Sequence, residues 1–179
     1  MPIDYEALKK WIPWLGGAAA GAFLLERHYD EKRKSRAEKE DPEGCRELCQ
    51  SVSEILERWE PPFFDYEDDY TEHLFDFLDE ELDEGIEVEM RTKTSRGLPD
   101  ILIDDRLVLE LKVEPKKTER DRLIGQCCDY SVEWVTWAIV IDMPEDKVDA
   151  LRELLDQKSL HYIDVIPFDA EDDDEEVED

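Results

Sequence analysis

The sequence is poor in positive charge and in cysteine, and both shortages limit what the protein can be. Its 179 residues include 51 Asp or Glu but only 22 Lys or Arg, which gives a net charge of −29. A uniformly acidic surface repels nucleic acid and is typical of a protein that stays soluble at high salt. Four cysteines at this length do not indicate a secreted disulfide scaffold. The length suffices for one domain with short extensions.

Two of the cysteines, Cys45 and Cys49, are spaced to lie on one face of a helix. That spacing allows a metal site, but no histidine or further cysteine pair stands near them in the sequence. We therefore interpret them as small apolar residues on a buried helix face. The three histidines, His28, His73 and His161, are scattered along the chain, and we assign none of them a role.

The sequence also lacks an apolar run as long as the roughly 20 residues that span a bilayer. Residues 11–25 are uncharged but shorter, although a span could start as early as Ile3. More bases follow the run than precede it, which fits a cleaved signal peptide poorly and would keep the body of the protein cytoplasmic. Residues 1–27 are thus either a membrane anchor through residues 3–25 or a Gly/Ala-rich helix packed on the core or on a partner.

Positive charge is concentrated in one part of the chain. Residues 60–89 contain 14 acids and no Lys or Arg, and residues 164–179 contain ten acids and no bases. Residues 91–125, in contrast, hold nine bases against seven acids. This basic segment is where we expect any contact with a polyanion.

The pattern of apolar residues predicts an α/β domain over residues 61–168. It follows an apolar segment (1–27) and a charged linker with an amphipathic helix (28–60), and an acidic disordered tail (169–179) comes after it. The predicted elements of the domain are helix 70–82, strands 86–91, 99–103 and 107–113, helix 118–131 with Thr118 as its cap, strand 134–141, helix 145–155 and strand 162–168.

Glu110 and Lys112 lie in the predicted strand 107–113, which is otherwise apolar. Side chains of a strand alternate between its faces, so these two residues share one face while Leu109 and Leu111 point the other way. A carboxylate and an ammonium side by side on an apolar strand are costly to bury without a function. The alternative is an ordinary ion pair on the solvated face of an edge strand.

Asp100 stands at the start of the neighbouring predicted strand, where its alternative role is that of a turn residue after Pro99. Two carboxylates from adjacent strands form a hard oxygen site suited to Mg²⁺ or Mn²⁺. A lysine beside them can orient a water or help to deprotonate it, and can stabilise a developing negative charge. Together, Asp100, Glu110 and Lys112 provide the functional groups that metal-dependent phosphodiester hydrolysis uses.

The hairpin between these two strands sets a condition for the site. A two-residue turn at residues 104–105 would pair Asp100 with Leu109. Asp100 and Glu110 would then lie on opposite faces, because directly paired antiparallel residues share a face. The site therefore predicts a three-residue loop or a bulge in this hairpin.

These residues resemble the motif of the PD-(D/E)xK nuclease superfamily. The matching positions are Gly97, Pro99-Asp100 and Glu110-Leu111-Lys112. RecB-type members, which are similar to archaeal Holliday-junction resolvases, add Q-x-x-x-Y on the following helix, and residues 126–130 fit that pattern. The resemblance covers residues 62–142 and extends more loosely to 168. It implies a restriction-endonuclease-like core (α-β-β-β-α-β) with a central mixed sheet flanked by helices, here with an N-terminal helical extension.

The resemblance implies a Mg²⁺-dependent deoxyribonuclease that hydrolyses DNA with a metal-activated water and in which Mn²⁺ can replace Mg²⁺. It implies Asp100, Glu110 and Glu72 as metal ligands, since members often carry a glutamate on the first core helix. Lys112 and Gln126 would assist catalysis. The ordinary alternatives are that Glu72 is one acid among many and that Gln126 only pairs with a residue one turn away.

DNA is the expected partner, and the bases that flank the centre are expected to hold its phosphates. The residues expected to contact DNA are Lys93, Arg96, Lys116, Lys117, Arg120, Arg122 and Tyr130. A membrane contact through residues 3–25 and a homodimer stay open, and no organic cofactor is expected. The sequence does not choose between endonuclease and exonuclease, or between repair, recombination and restriction.

A second hypothesis is a catalytically inactive protein of the nuclease fold that serves as an acidic interaction protein, with or without a membrane tether. The complete set of candidate metal residues argues against it, because a non-catalytic descendant need not keep them. A DNA mimic is a third hypothesis, motivated by the acid runs, but the basic segment 91–125 fits it poorly.

Overall fold

A computed structural model describes residues 35–158, 160 and 163–170. The helices in this part are α1 (Arg36–Glu40), α2 (Pro42–Leu56), α3 (Glu67–Glu81), α4 (Lys117–Tyr130) and α5 (Glu145–Gln157). The strands are β1 (Val88–Met90), β2 (Ile101–Ile103), β3 (Leu107–Val113), β4 (Val135–Ile141) and β5 (Asp164–Phe168). From α3 onwards this is the order of elements that the sequence predicts.

The strands form one five-stranded sheet in the order β1-β2-β3-β4-β5. β2 runs antiparallel to both β1 and β3, whereas β3, β4 and β5 are parallel. Parallel neighbours need a crossover connection, and α4 and α5 provide the two crossovers. The protein is therefore an α/β protein with a mixed sheet flanked by helices, which confirms the predicted class at this level.

Helices cover both faces of the sheet. Leu107, Leu109 and Leu111 of β3 pack with α2 and α3 in the larger hydrophobic core. On the other face, Ala138 and Val140 of β4 pack with α4 and α5 in a second core. Burying one large aliphatic side chain contributes on the order of 1.5–3 kcal/mol. Because β3 lies between two apolar layers, a polar side chain on it must find its partners inside the protein.

The hairpin between β2 and β3 has the loop that the candidate site requires. Ile103 pairs with Leu107, which leaves residues 104–106 as a three-residue loop. By the same register, Asp100 lies opposite Glu110. Directly opposed antiparallel residues share a face. The prediction of a three-residue loop is confirmed.

Side chains of the loop fix its conformation. Asp104 and Asp105 are both left-handed, with φ of 52° and 50°, which Asp tolerates better than most residues. The Trp134 Nε1–H donates to the Asp105 carboxylate at 2.8 Å, and Arg106 forms an ion pair with Asp104 at 2.6 Å. The register of the hairpin, and with it the position of Asp100, is thus held by contacts at the loop itself.

Two helices begin earlier than predicted. α3 begins at Glu67, three residues before the predicted start, and its first turn is acidic, as the positive end of a helix dipole favours. α4 begins at Lys117 and its N-cap is Lys116, so the prediction of Thr118 as the cap is wrong. The Glu119 carboxylate accepts the Lys116 backbone N–H at 2.7 Å. This contact caps the first turn at Lys116, so Thr118 already lies inside the helix.

α2 is the amphipathic helix that the sequence predicts before the α/β domain, and it belongs to the larger core. Asp41 caps it, because its carboxylate accepts the Gly44 backbone N–H at 3.0 Å. Cys45 and Cys49 are buried in it and form no disulfide. Burial raises the pKa of both thiols, that of Cys45 to about 11, so they remain protonated and pack as small apolar groups.

The candidate anchor at 3–25 lies outside the described residues, and so does the predicted acidic tail 169–179 except for its first two residues. Within the described ranges, no helix has the length and apolar character that crossing a bilayer requires.

Candidate active site

Asp100, Glu110 and Lys112 lie together in the structure. The Lys112 Nζ is 3.9 Å from an Asp100 carboxylate oxygen and 3.8 Å from a Glu110 carboxylate oxygen. Glu110 is 1% exposed and Lys112 is 7% exposed. β3, which carries both, is the central strand of the sheet. The alternative of an ion pair on a solvated edge strand is therefore wrong.

The cluster forms where β3 extends beyond the part that pairs with β2. β2 begins at Ile101, so β3 pairs with it only over its first half. The Asp100 carboxylate substitutes for the missing strand and accepts the Leu111 backbone N–H at 2.8 Å. The Glu67 carboxylate likewise accepts the Val113 backbone N–H at 3.4 Å. Carboxylates thus complete the hydrogen bonds of the strand and bring negative charge to this point.

Glu67 is a member of the cluster that the sequence-based prediction missed. It lies in the first turn of α3, and its Oε1 accepts a hydrogen bond from the Lys112 Nζ at 2.7 Å. The predicted helix glutamate, Glu72, is exposed. Five residues along a helix correspond to a rotation of about 140°, so the two glutamates face different directions. The prediction of Glu72 as a ligand is corrected accordingly: the glutamate of α3 at the cluster is Glu67.

Lys112 is held as a cation. Besides the Glu67 contact, its Nζ donates to the Leu111 carbonyl at 2.5 Å. Burial by itself lowers the pKa of Lys112, but the hydrogen bond to Glu67 and the neighbouring carboxylate charges raise its pKa overall. At neutral pH the group is an ammonium. It is suited to stabilise negative charge and to orient a water, and it is not suited to act as a general base.

The Glu110 carboxylate has a side-chain hydrogen-bond partner at one oxygen only, and an interaction with the Asp100 backbone favours its ionised form. Its Oε1 accepts a hydrogen bond from the Gln126 side-chain amide at 2.5 Å, while its buried Oε2 has no hydrogen-bond partner among the described residues. The Gln126 Oε1 is also buried without such a partner. Burial, followed by the charge of Asp100, raises the pKa of Glu110 to about 8. Burial raises the pKa of Asp100 as well.

These donors fit a Mg²⁺ ion. Mg²⁺ is usually bound through one or two carboxylates and completes its shell with water and substrate phosphates. Asp100 and Glu110 supply two carboxylates whose pKa values are raised even with the Lys112 ammonium beside them, and the unpartnered Glu110 Oε2 is a buried acceptor. In the part of the chain that the structure describes, no group of three or more His, Cys, Asp or Glu is placed to hold a metal. An ion here would depend on these two residues together with water and substrate.

Gln126 and Tyr130 lie one turn apart on α4, facing the cluster. Tyr130, which the sequence predicts to contact DNA, is buried in the structure. Its ring packs against Gly97, whose φ of 139° is a conformation that favours glycine. A Cβ at position 97 would lie 3.3 Å from the Tyr130 Oη. Tyr130 thus supports the loop that leads to Asp100.

We expect Gly97→Ala to lower the free energy of unfolding by about 1–3 kcal/mol, because an alanine is strained at this φ and its Cβ presses on Tyr130. Urea unfolding measures the effect. Gly125→Ala is the matched control, because Gly125 lies inside α4 and a Cβ there meets nothing within 4 Å. This substitution should raise the free energy of unfolding by about 0.5–1 kcal/mol. Equal stability of Gly97→Ala and the wild type would contradict the role of Gly97.

The remaining predicted DNA-contacting residues lie in two segments. One is the start of α4 with Lys116, Lys117, Arg120 and Arg122, which form no ion pair with another described residue. The other is the loop between β1 and β2, with Lys93 and Arg96. In that loop the Arg96 Nε is 3.6 Å from a Glu133 carboxylate oxygen. The α4 bases follow the end of β3, close in the chain to Lys112. The loop precedes Asp100 in the chain, but its Lys93 lines a separate cavity that holds none of the cluster residues.

A cavity of about 550 Å³ lies elsewhere, between α1, the β1–β2 loop and the β2–β3 hairpin. Six acids and three bases line it, and none of the cluster residues does. This excess of acids makes it unsuited to a polyanion. The candidate active site is therefore the cluster around β3.

Comparison of the chain with protein-family models, with curated proteins and with solved structures finds no match. Its function must be argued from the side chains of the site.

Proposed function

We propose that the protein is a Mg²⁺-dependent nuclease that hydrolyses phosphodiester bonds in DNA, with Mn²⁺ able to replace Mg²⁺. The observation that carries the proposal is the cluster that Asp100 forms with the buried Glu110 and Lys112 of the central strand, with one Glu110 oxygen lacking a hydrogen-bond partner among the described residues. We further propose that the domain has the restriction-endonuclease-like core of the PD-(D/E)xK superfamily. The order of elements and the three-residue hairpin loop support this.

Each residue of the cluster has a distinct part. Asp100 and Glu110 would hold the metal ion, and the Gln126 amide keeps the Glu110 carboxylate in place. When bound, the ion supplies Lewis-acid polarisation of the phosphate and lowers the pKa of water. Lys112 orients the attacking water and stabilises the negative charge that develops on the phosphate. Glu67 holds the Lys112 ammonium in position.

The net charge of −29 is compatible with DNA as the substrate because the charge is unevenly distributed. Bases without an ion-pair partner among the described residues stand at the start of α4, beside the end of β3. Phosphates are attracted there and repelled over the acidic remainder, which would direct DNA to one face of the protein. Binding of this kind weakens steeply as salt rises.

Asp100→Ala is expected to reduce Mg²⁺-dependent cleavage by at least about 100-fold, because a metal ligand is removed. The test uses plasmid, linear and branched DNA with Mg²⁺ or Mn²⁺ over a range of salt concentrations. Asp76→Ala, which removes an exposed acid on α3, is the control and should leave cleavage unchanged.

Equal cleavage by wild type, Asp100→Ala and Asp76→Ala would contradict the proposal. A folded wild-type protein that binds neither Mn²⁺ nor DNA would favour the alternative, a catalytically inactive acidic interaction protein of the same fold. Comparing the three DNA forms also separates endonuclease from exonuclease activity, since an exonuclease needs an end.

A further inference from the structure

Arg91 stands beside the cluster and has no part in the chemistry proposed above. It is the first residue after β1, and its backbone N–H donates to the Asp100 carbonyl at 3.0 Å. The register of β1 and β2 places Arg91 opposite Asp100, and that of β2 and β3 places Asp100 opposite Glu110. Arg91, Asp100 and Glu110 therefore occupy one row across three strands.

The backbone of Arg91 is left-handed, with φ of 50°. This conformation costs a residue other than glycine on the order of 1–3 kcal/mol, and such residues cluster at functional sites. A left-handed residue breaks the alternation of a strand. The Arg91 side chain reaches the first turn of α3, where its guanidinium forms an ion pair with Asp68.

The two cations near the carboxylates differ in their freedom to move. Lys112 is buried and is held by Glu67 and by the Leu111 carbonyl. The Arg91 side chain is 34% exposed, and its partner Asp68 is 70% exposed. An exposed ion pair contributes about 0–1 kcal/mol, so another anion can displace Asp68 at small cost. Of the two cations, Arg91 is therefore the one that can exchange its partner for an anionic ligand.

We propose that Arg91 binds the substrate: when DNA arrives, its guanidinium leaves Asp68 and contacts a backbone phosphate at the cleavage site. A guanidinium can donate two parallel hydrogen bonds to one phosphate. In the free protein, Asp68 holds the guanidinium by an ion pair, and the Arg91 charge still acts on the neighbouring Asp100 carboxylate. This inference rests on the proposed function and extends it to a named phosphate contact.

The test compares Arg91→Ala, Arg91→Lys and Asp68→Asn. We expect Arg91→Ala to weaken binding of a labelled DNA duplex about 3–10-fold and to reduce the slope of log affinity against log salt by about 0.9. Arg91→Lys should retain the slope but bind less well, because lysine cannot form the paired hydrogen bonds. Asp68→Asn should bind DNA as well as the wild type or better, since the competing carboxylate is gone.

The sign of the Asp68→Asn effect separates a substrate contact from a structural ion pair. A merely structural pair would lose stability and DNA affinity in both Arg91→Ala and Asp68→Asn, and that result would overturn the inference. Arg58→Ala is the matched control, because Arg58 forms an exposed ion pair with Glu81 at 2.6 Å and is assigned no role in the site. It should change neither the affinity nor the slope.

Two further measurements distinguish failure of this inference from failure of the proposed function. Mn²⁺ titration of Arg91→Ala should match the wild type, because no metal ligand is removed. If the wild type cleaves DNA but Arg91→Ala keeps its affinity and salt slope, the inference is wrong and the proposed function stands. If the wild type binds no Mn²⁺ and cleaves no DNA, both are wrong.

Discussion

In the absence of divalent metal, the protein should lose stability as the pH rises from 4.5 to about 8, and Glu110→Gln should reduce that loss, with the remainder coming from Asp100, whose pKa is also raised. Burial and the charge of Asp100 raise the pKa of Glu110, so the folded protein keeps a proton that the unfolded chain releases. The folded state binds more protons in this interval. The free energy of unfolding therefore falls as the pH rises, by up to about 1.4 kcal/mol per unit.

Urea unfolding in EDTA at a series of pH values measures this dependence. Glu80→Gln, at an exposed position of α3, is the control and should keep the wild-type profile. Added Mg²⁺ should stabilise the wild type more at higher pH, because metal binding requires ionised carboxylates, and it should do little for Glu110→Gln. A wild-type profile that is flat in EDTA would mean that Glu110 ionises in the fold without cost.

Lys112→Met should separate metal binding from catalysis. The Nζ lies within 4 Å of oxygens of both proposed metal ligands, so removing this cation removes a repulsion from the bound ion. Mn²⁺ affinity should stay at the wild-type level or increase. Cleavage should fall by about 10²–10³-fold, because a charge placed to stabilise the transition state is lost. Isothermal titration with Mn²⁺ and single-turnover cleavage measure the two effects.

Asp100→Ala provides the contrast to this variant, because it should lose metal binding and cleavage together. Lys147→Met removes an exposed lysine of α5 and should change neither property. If Lys112→Met lost Mn²⁺ affinity as Asp100→Ala does, Lys112 would be needed to hold the ligands in place. If Lys112→Met cleaved DNA at the wild-type rate, its proposed role in catalysis would be wrong.

The sequence was sufficient to predict the β2–β3 hairpin and the pairing of Asp100 with Glu110. Strand alternation is a local property, and the requirement that two carboxylates share a face fixes the parity of the loop between them. The structure has that parity, with residues 104–106 in the loop. Burial on both faces of β3 was not predictable in the same way, because it depends on which strands flank it and which helices cover it.

The prediction failed for the glutamate of α3. Apolar periodicity detects a helix from its buried face, and the first turn of α3 is acidic, so the predicted helix began too late and Glu67 was left out. The run Glu67-Asp68-Asp69 was a usable signal, because acids are favoured in a first helical turn. The role of Tyr130 also depended on the fold: an aromatic residue on a helix can face solvent or the loop beneath it, and here it packs on Gly97.

The loop at residues 104–106 has a consequence for how this protein can change over evolutionary time. Substitution of Asp104 or Asp105 by Asn or Gly, which tolerate left-handed backbone, should preserve the relation between Asp100 and Glu110. Loss or gain of one residue in the loop would move every side chain of one strand to the opposite face of the sheet. Asp100 would then point away from Glu110, although no residue of the site had been substituted. Viable relatives should therefore keep residues that tolerate left-handed backbone at positions 104 and 105, and should change the length of this loop only by two residues at a time.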